Sequence, residues 1–198
     1  MPRTNNKKEL IIDAAIKVFA RKGFYNAKVA DVAKMAGVAD GTIYLYFKNK
    51  DDLLISLFET KMEEILQHFS SLIGKPIPAD EKLREFIRLY FQMIEQDQDL
   101  AEVFQVELRQ SSKFLKHYHN QKFIDFLNLI GTIIQEGTKQ QLFHKDINIH
   151  TVKLIVFGAL DELARQWILT EDPSHSLKQT ARETADTFLR SFLVKTEH

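Results

Sequence analysis

The sequence predicts an all-α protein of about nine helices, and three observations carry that expectation. Apolar residues recur at helical spacing through every long stretch, with no sustained strand alternation and no Asn-Gly hairpin signal. Pro2, Pro76, Pro78 and Pro173 all fall near the ends of those stretches, where a missing N–H breaks no helical ladder. Gly23 and Gly37 directly follow periodic runs, as expected where a helix C-terminus needs a residue tolerant of positive φ.

Taken in order, the first helix is expected near Asn5 to Lys22, burying Ile11, Ala14, Ala15, Val18 and Phe19. Between Lys28 and Lys50 the chain reads KVADVAKMAGVADGTIYLYFKNK, two short helices about a tight turn with a basic, aromatic exit. Val29, Val32, Ala33 and Ala36 give the first of these one apolar face, Gly37 makes the turn and Val38 follows as an apolar plug. Asp40 or Thr42 is expected to accept the free amides of the second, which runs roughly from Ala39 to Phe47. That helix buries Ile43 and Phe47 and leaves Thr42, Tyr44 and Tyr46 largely outward. The pattern is a helix-turn-helix whose second helix is shaped to enter a DNA major groove.

A long helix from about Lys50 to Ile73 follows, with Leu53, Leu54, Leu57, Phe58, Ile65, Leu66 and Phe69 along its buried stripe. Gly74 to Pro78 is a break. Further helices are expected near Ala79 to Glu95, Asp97 to Gln110 and Ser112 to Thr138, with Gly131 and Gly137 as weak points in the last. Asp146 and Asn148 are candidate caps for a helix reaching Thr170, and Pro173-Ser174 opens a final helix reaching Val194. The expected division is a DNA-binding domain at 1–50 and an effector-binding and pairing domain at 51–198.

Bulk composition narrows the class. Without cysteine there is neither a disulfide nor a zinc ribbon, which suits a reducing cytoplasm. MPRTNNKKEL lacks the apolar run of a secretory signal. The most apolar long stretch, Ile147 to Trp167, is interrupted by Lys153, Asp161, Glu162 and Arg165, so no membrane span is expected. The net charge is zero, yet residues 1–50 hold ten Lys or Arg against four Asp or Glu, a net +6, and the remainder is −6. Phosphate binding depends on the charge of the contacting face rather than the global sum, and the basic end coincides with the helix-turn-helix.

Within that end, Arg3, Lys7 and Lys8 can reach phosphate or a minor groove, and Lys28 sits where free amides and the helix dipole favour a phosphate oxygen. Tyr44, Tyr46, Lys48 and Lys50 are counted with the DNA contacts, mainly to backbone. Tyr46 stays open between DNA and packing, and Phe47 goes to the core. Thr42 can donate to a phosphate or touch a thymine methyl, and Gly41 lets the helix backbone approach the groove floor. Ala39-Asp40-Gly41 offers no Arg, Asn or Gln for bidentate base reading, so specificity leans on Thr42, Tyr44, Lys28, small apolar contacts and DNA shape. One short recognition helix binds weakly alone, so a homodimer on a palindrome is expected. The last two long helices carry apolar stripes suited to pairing, Leu154, Ile155, Phe157, Leu160 and Leu163, then Ala181, Ala185, Phe188, Leu189 and Phe192, some of which face the chain's own core, with Gly158 and Ala159 permitting close approach.

The stretch 28–50 resembles the DNA-binding signature of TetR-type transcriptional regulators, whose helix-turn-helix leads into a Tyr-x-Tyr-Phe-Lys-x-Lys tail, here Tyr44, Tyr46, Phe47, Lys48 and Lys50. It is especially similar to the Gram-positive regulators of fatty-acid degradation, which share Val-Ala-Asp-Gly-Thr-Ile-Tyr-Leu-Tyr-Phe-Lys-Asn-Lys. Glu107 to Ser111 and Phe157-Gly158 to Trp167 are also similar to that subgroup. The resemblance implies a dimeric repressor of fatty-acid degradation genes, released from its operator by a long-chain acyl-CoA threaded through a helical tunnel.

Phe86, Tyr90, Phe91, Phe104, Phe114, Phe123, Phe126, Leu127, Ile130 and Phe143 supply apolar bulk, mostly core, of which a subset can line a tunnel. Phe91, Phe104, Phe123 and Leu127 are the lining candidates. Arg109 is the candidate partner for the ligand's phosphates, against a helix-surface ion pair with Glu102 or Glu107. Trp167, the single tryptophan, either stacks on adenine or caps the tunnel, or is core. Asp161 is expected to pair with Arg165 one turn on. A regulator of the same fold sensing a hydrophobic drug, and controlling efflux, is the alternative. His117 and His119 are two apart, the wrong spacing for one helix face, so no metal is expected. Neither a Gly-rich phosphate loop nor a nucleophile motif points to an enzyme, and no cofactor is expected beyond the effector.

Overall fold

The computed structural model describes residues 3–108, 121–170 and 176–194. Among these it has nine α-helices, α1 (Arg3–Lys22), α2 (Val29–Ala36), α3 (Asp40–Ile43), α4 (Lys50–Ile73), α5 (Ala79–Gln96), α6 (Gln98–Glu102), α7 (Gln121–Lys139), α8 (Ile149–Leu169) and α9 (Leu177–Phe192). The described residues contain no named strand, only an isolated antiparallel bridge between Phe143 and Leu193. The all-α class is as the sequence predicts.

Local chemistry sets most of the ends. Gly23 and Gly37 both have positive φ, 75° and 67°, and terminate α1 and α2. Asp97 caps α6 by accepting the Leu100 N–H at 3.0 Å. Asn148 caps α8 by accepting the Thr151 N–H at 3.0 Å, so of the two candidates it, and not Asp146, starts that helix. The helix expected over Asp97 to Gln110 is interrupted, because residues Val103–Glu107 widen into a π-helical turn. The expected starts at Ser112 and at Pro173-Ser174 lie outside the described residues.

The chain folds as two compact units that do not follow chain order. Among the described residues, the first comprises 3–62 with 97–108. In it α1 packs against α2, α6 and the π-helical turn. Ile11, Ala15, Phe19, Val32, Ala33, Ile43, Phe47, Leu53, Leu54 and Leu57 are fully buried. Phe58 meets Phe104 of the π-helical turn with ring centroids 5.1 Å apart.

The second unit comprises, of the described residues, 63–96, 121–170 and 176–194, and α5 runs through it against α7, α8 and α9. Phe69, Phe86 and Phe126 form an aromatic triangle with centroids 4.8, 5.2 and 5.4 Å apart. Lys82 is only 3% exposed, and its ammonium is fully satisfied by the Ile73 carbonyl at 2.7 Å and both Glu136 oxygens at 2.9 Å. Helix α7 continues through Gly131 and Gly137, which are therefore not breaks. A Cβ at Gly137 would lie 2.1 Å from the Phe143 ring, so this glycine exists to admit that ring.

Two surface features bear on those expectations. Arg165 forms its fork with Glu162, at 2.9 and 2.5 Å, and the Asp161 carboxylate adds a charge attraction to the same guanidinium. Of the pairing stripes, Leu160, Ala181, Ala185, Leu189 and Phe192 are buried within the chain's own core. Leu154 and Ile155 are the ones left exposed on α8, beside an open Gly158.

Candidate nucleic-acid interface

The turn of the helix-turn-helix is built by Gly37. Its N–H donates to the Lys34 carbonyl at 3.3 Å and the Val38 N–H donates to the Ala33 carbonyl at 3.0 Å, the paired bonds of a Schellman motif. That geometry re-aims the chain into α3 one residue after Val38. Ala39 precedes α3 without a side-chain cap, so the expected capping by Asp40 or Thr42 does not occur. The α-helical part is short, Asp40–Ile43, and gives way to a turn over residues 44–46, closed by the Tyr46 and Phe47 N–H groups, both donating to the Ile43 carbonyl at 3.0 Å. Ile43 and Phe47, each 1% exposed, anchor this segment to the first unit.

The outward residues are as follows. Tyr44 is 58% exposed, Thr42 and Tyr46 are half-buried, and Gly41 and Lys48 are exposed. Tyr46 touches Phe47 at 6.3 Å between centroids, a packing role that does not remove it from the surface. A Cβ at Gly41 would meet no atom within 4 Å, so nothing inside the chain demands glycine there. Lys28 is exposed at the N-terminal boundary of α2, where its N–H is accepted by the Asp31 carboxylate at 3.0 Å. Asp31 in turn bridges Lys22 at 2.8 Å. That bridge first, and the Lys28 N–H second, hold the Asp31 carboxyl below its ordinary range. Lys7 and Lys8 are exposed on α1.

Lys50 departs from the expectation. Its ammonium donates to the carbonyls of Phe24 at 2.6 Å, Tyr25 at 3.0 Å and Ala27 at 3.0 Å, and sits 4.7 Å from the centroid of the Phe24 ring. An ammonium has three donors, and all three are engaged within the fold. Lys50 therefore ties the start of α4 to the loop between α1 and α2, with its three donors used inside the chain. Lys48 remains outward, its backbone N–H accepted by Asp52 at 2.8 Å, while Asn49 caps α4 through the Asp52 N–H at 2.9 Å.

The effector candidates fall in different places. Phe91 is fully buried in α5 and Leu127 is buried in α7. Phe123 is half-buried in α7, its ring 4.9 Å from that of Phe157, and Trp167 is half-buried in α8. Those four belong to the second unit, whereas Phe104 belongs to the first, against Phe58. Arg109, Phe114, His117 and His119 lie outside the described residues. Among the described residues no group of three or more His, Cys, Asp or Glu is placed to hold a metal, and no helix is long and apolar enough to cross a membrane. The buried Gln105, on the π-helical turn, was not singled out by sequence, since a lone glutamine in an apolar helix carries no positional signal.

A Schellman-terminated helix, a short second helix offering hydroxyls and a glycine, and exposed lysines on both flanks define a helix-turn-helix DNA-binding protein. The chain belongs to the tetR family of bacterial regulatory proteins: the model of that family's N-terminal region matches residues 11–57, and that of the YsiA-like protein C-terminal region matches residues 58–190. Regulators of this family bind operator DNA as homodimers. The chain is similar to the fatty acid metabolism regulator protein of Bacillus subtilis, 39% identical over 161 residues that cover 81% of this chain and 83% of the relative. It also matches the crystal structure of the transcriptional regulator FadR from Bacillus subtilis in complex with stearoyl-CoA, with a TM-score of 0.86, 36% identity, and coverage of 92% and 98% of the two chains. The fatty acid degradation regulator FadR from Bacillus halodurans matches with a TM-score of 0.84 and 36% identity over 91% of this chain and 97% of that one.

Proposed function

We propose that this chain is a repressor of fatty-acid degradation genes that leaves its operator when it binds a long-chain acyl-CoA. The observation that carries this reading is likeness along nearly the whole chain to a regulator crystallised in complex with stearoyl-CoA. Lys28, Gly41, Thr42, Tyr44, Tyr46 and Lys48 are assigned to DNA, and Lys50 to holding the loop behind them. DNA binding is assigned to residues 1–50, and effector binding and pairing to residues 51–198. Phe91, Phe123, Leu127 and Trp167, all of the second unit, are assigned to the acyl chain's surroundings, and Arg109 to the phosphates. The exposed Leu154 and Ile155, with Gly158 between partner helices, are assigned to pairing. The protein works by binding alone, in the cytoplasm with its DNA, without catalysis and without a resident cofactor.

Helix α4 supplies the means of coupling, since it runs unbroken for 24 residues from the first unit into the second. Acyl-CoA need only bind one conformer more tightly than the other, and operator release can be no larger than that difference in affinity. The test is a titration of stearoyl-CoA, free CoA and an amphipathic drug into the protein bound to a duplex it has selected from a random pool. Release by stearoyl-CoA alone is expected. Release by the drug and not by stearoyl-CoA would overturn the fatty-acid assignment and favour an efflux regulator.

A further inference from the structure

Leu45 is the most exposed of the large apolar residues described, at 80%, and it stands in the middle of the DNA-facing segment. Helical geometry explains its position. Ile43 and Phe47, four apart, point into the core at 1% exposure. Carried at roughly 100° per residue from α3 through the turn over residues 44–46, the direction opposite that pair falls on Gly41 and Leu45, and the exposure of both agrees. Tyr44 and Thr42 flank this line on either side. Gly41 and Leu45 therefore form the outermost ridge of the recognition segment, the part that enters a groove first.

Neither residue is explained by the fold. A Cβ at Gly41 would have open space on all sides, and its φ is not in the left-handed range that favours glycine. Leu45 has only a fifth of its surface covered by the chain. A solvent-facing site ordinarily carries a polar residue, and this one would have taken arginine or asparagine had base reading been by hydrogen bonds. A missing side chain followed one turn later by an aliphatic one has a simple complement: a helix seated close to the groove floor, with a branched apolar tip against an apolar base edge. In the major groove the apolar edge is the thymine 5-methyl group. The exposed Lys28 and Lys48 and the +6 charge of residues 1–50 match a polyanion as the surface that covers this ridge.

We infer that Leu45 is a specificity-determining residue, reading the 5-methyl group of one thymine in each operator half-site, with Gly41 permitting the approach. This rests on the DNA-binding reading above and adds the chemistry of what is read. Burying one methyl group against Leu45 is worth about a four-fold change in affinity.

The test uses the full chain and a duplex it has selected from a random-sequence pool, with each thymine replaced in turn by deoxyuridine. Wild type is expected to lose about four-fold at one thymine per half-site. Leu45→Ala is expected to bind the thymine and deoxyuridine duplexes equally, at about the level of wild type on a duplex carrying deoxyuridine at that position in both half-sites, because the dimer loses both leucines. Its salt dependence should stay unchanged, because no phosphate contact is removed, and its thermal unfolding should match wild type, because Leu45 is outside the core. If wild type ignores every methyl, or if Leu45→Ala keeps the wild-type preference for thymine, the inference is overturned while DNA binding stands. If the chain selects no sequence at all, the DNA-binding reading fails and takes this inference with it.

Discussion

Replacing Lys50 by methionine separates a lysine that holds the fold from one that holds DNA. Methionine keeps most of the aliphatic stem and removes the ammonium, hence three hydrogen bonds of 2.6, 3.0 and 3.0 Å and the cation above the Phe24 ring. A hydrogen bond from a charged donor contributes about 1.5–3 kcal/mol when buried. Two of these acceptors are part-buried and the Tyr25 carbonyl is exposed, so water recovers some of the loss. The cation–π contact adds about 0.5–1 kcal/mol. Together these give an expected destabilisation of about 2–4 kcal/mol, read by chemical denaturation at fixed protein concentration, since dimerisation adds to apparent stability. The slope of log affinity for DNA against log salt should change little per half-site. A phosphate-contacting lysine would instead lower that slope by about 0.9 per contact and leave stability nearly unchanged. A Lys50→Met variant that unfolds like wild type and loses a unit of salt slope refutes the structural assignment.

Three further outcomes test the second unit. Gly137→Ala should cost about 1–3 kcal/mol, because its methyl group would collide with the buried Phe143 ring, and trimming that ring in Gly137→Ala/Phe143→Leu should recover part of the loss. Lys82→Met should cost about 2–4 kcal/mol in urea unfolding, since Glu136 loses its buried partner, and a neutral result would mean that Glu136 simply turns to water. Asp186 titrates below its ordinary range, chiefly through its hydrogen bond with Arg84, so carbon NMR should show its midpoint rising in Arg84→Ala. A carboxyl depressed in the folded state favours folding above its unfolded-state pKa, and that contribution disappears as pH falls through the lower folded value. The difference in stability between wild type and Arg84→Ala should therefore shrink on acidification.

Legibility in the sequence followed the range of the interaction responsible. Gly23, Gly37, Asp97 and Asn148 act on atoms within a few residues, and the ends they set were readable from the chain. The buried faces of α1, α2 and α4 were readable for the same reason, since 3.6-residue spacing is a local property. Among the DNA candidates, exposure of Gly41 and Tyr44 followed from the position of Ile43 and Phe47 on the same segment. Lys50 was not readable: its partners are 23 to 26 residues away, and nothing in a Lys-Asn-Lys tail distinguishes a lysine turned inward from one turned out. Leu45 was not singled out, although Ile43 and Phe47 on the same segment already place it on the outer side.

By itself the sequence determined an all-α chain, a helix-turn-helix with a basic surround, and a likeness to acyl-CoA-responsive regulators. Only the tertiary structure decided that residues 97–108 pack with the N-terminal unit, that Gly137 makes room for Phe143, and that α8 keeps Leu154 and Ile155 outside while Leu160 goes in. Propensity, capping and periodicity act between near neighbours along the chain and are written into it directly. Which distant carbonyl meets an ammonium, or which ring fills a notch, depends on where separate helices come to rest, and that is fixed by close packing of the whole core.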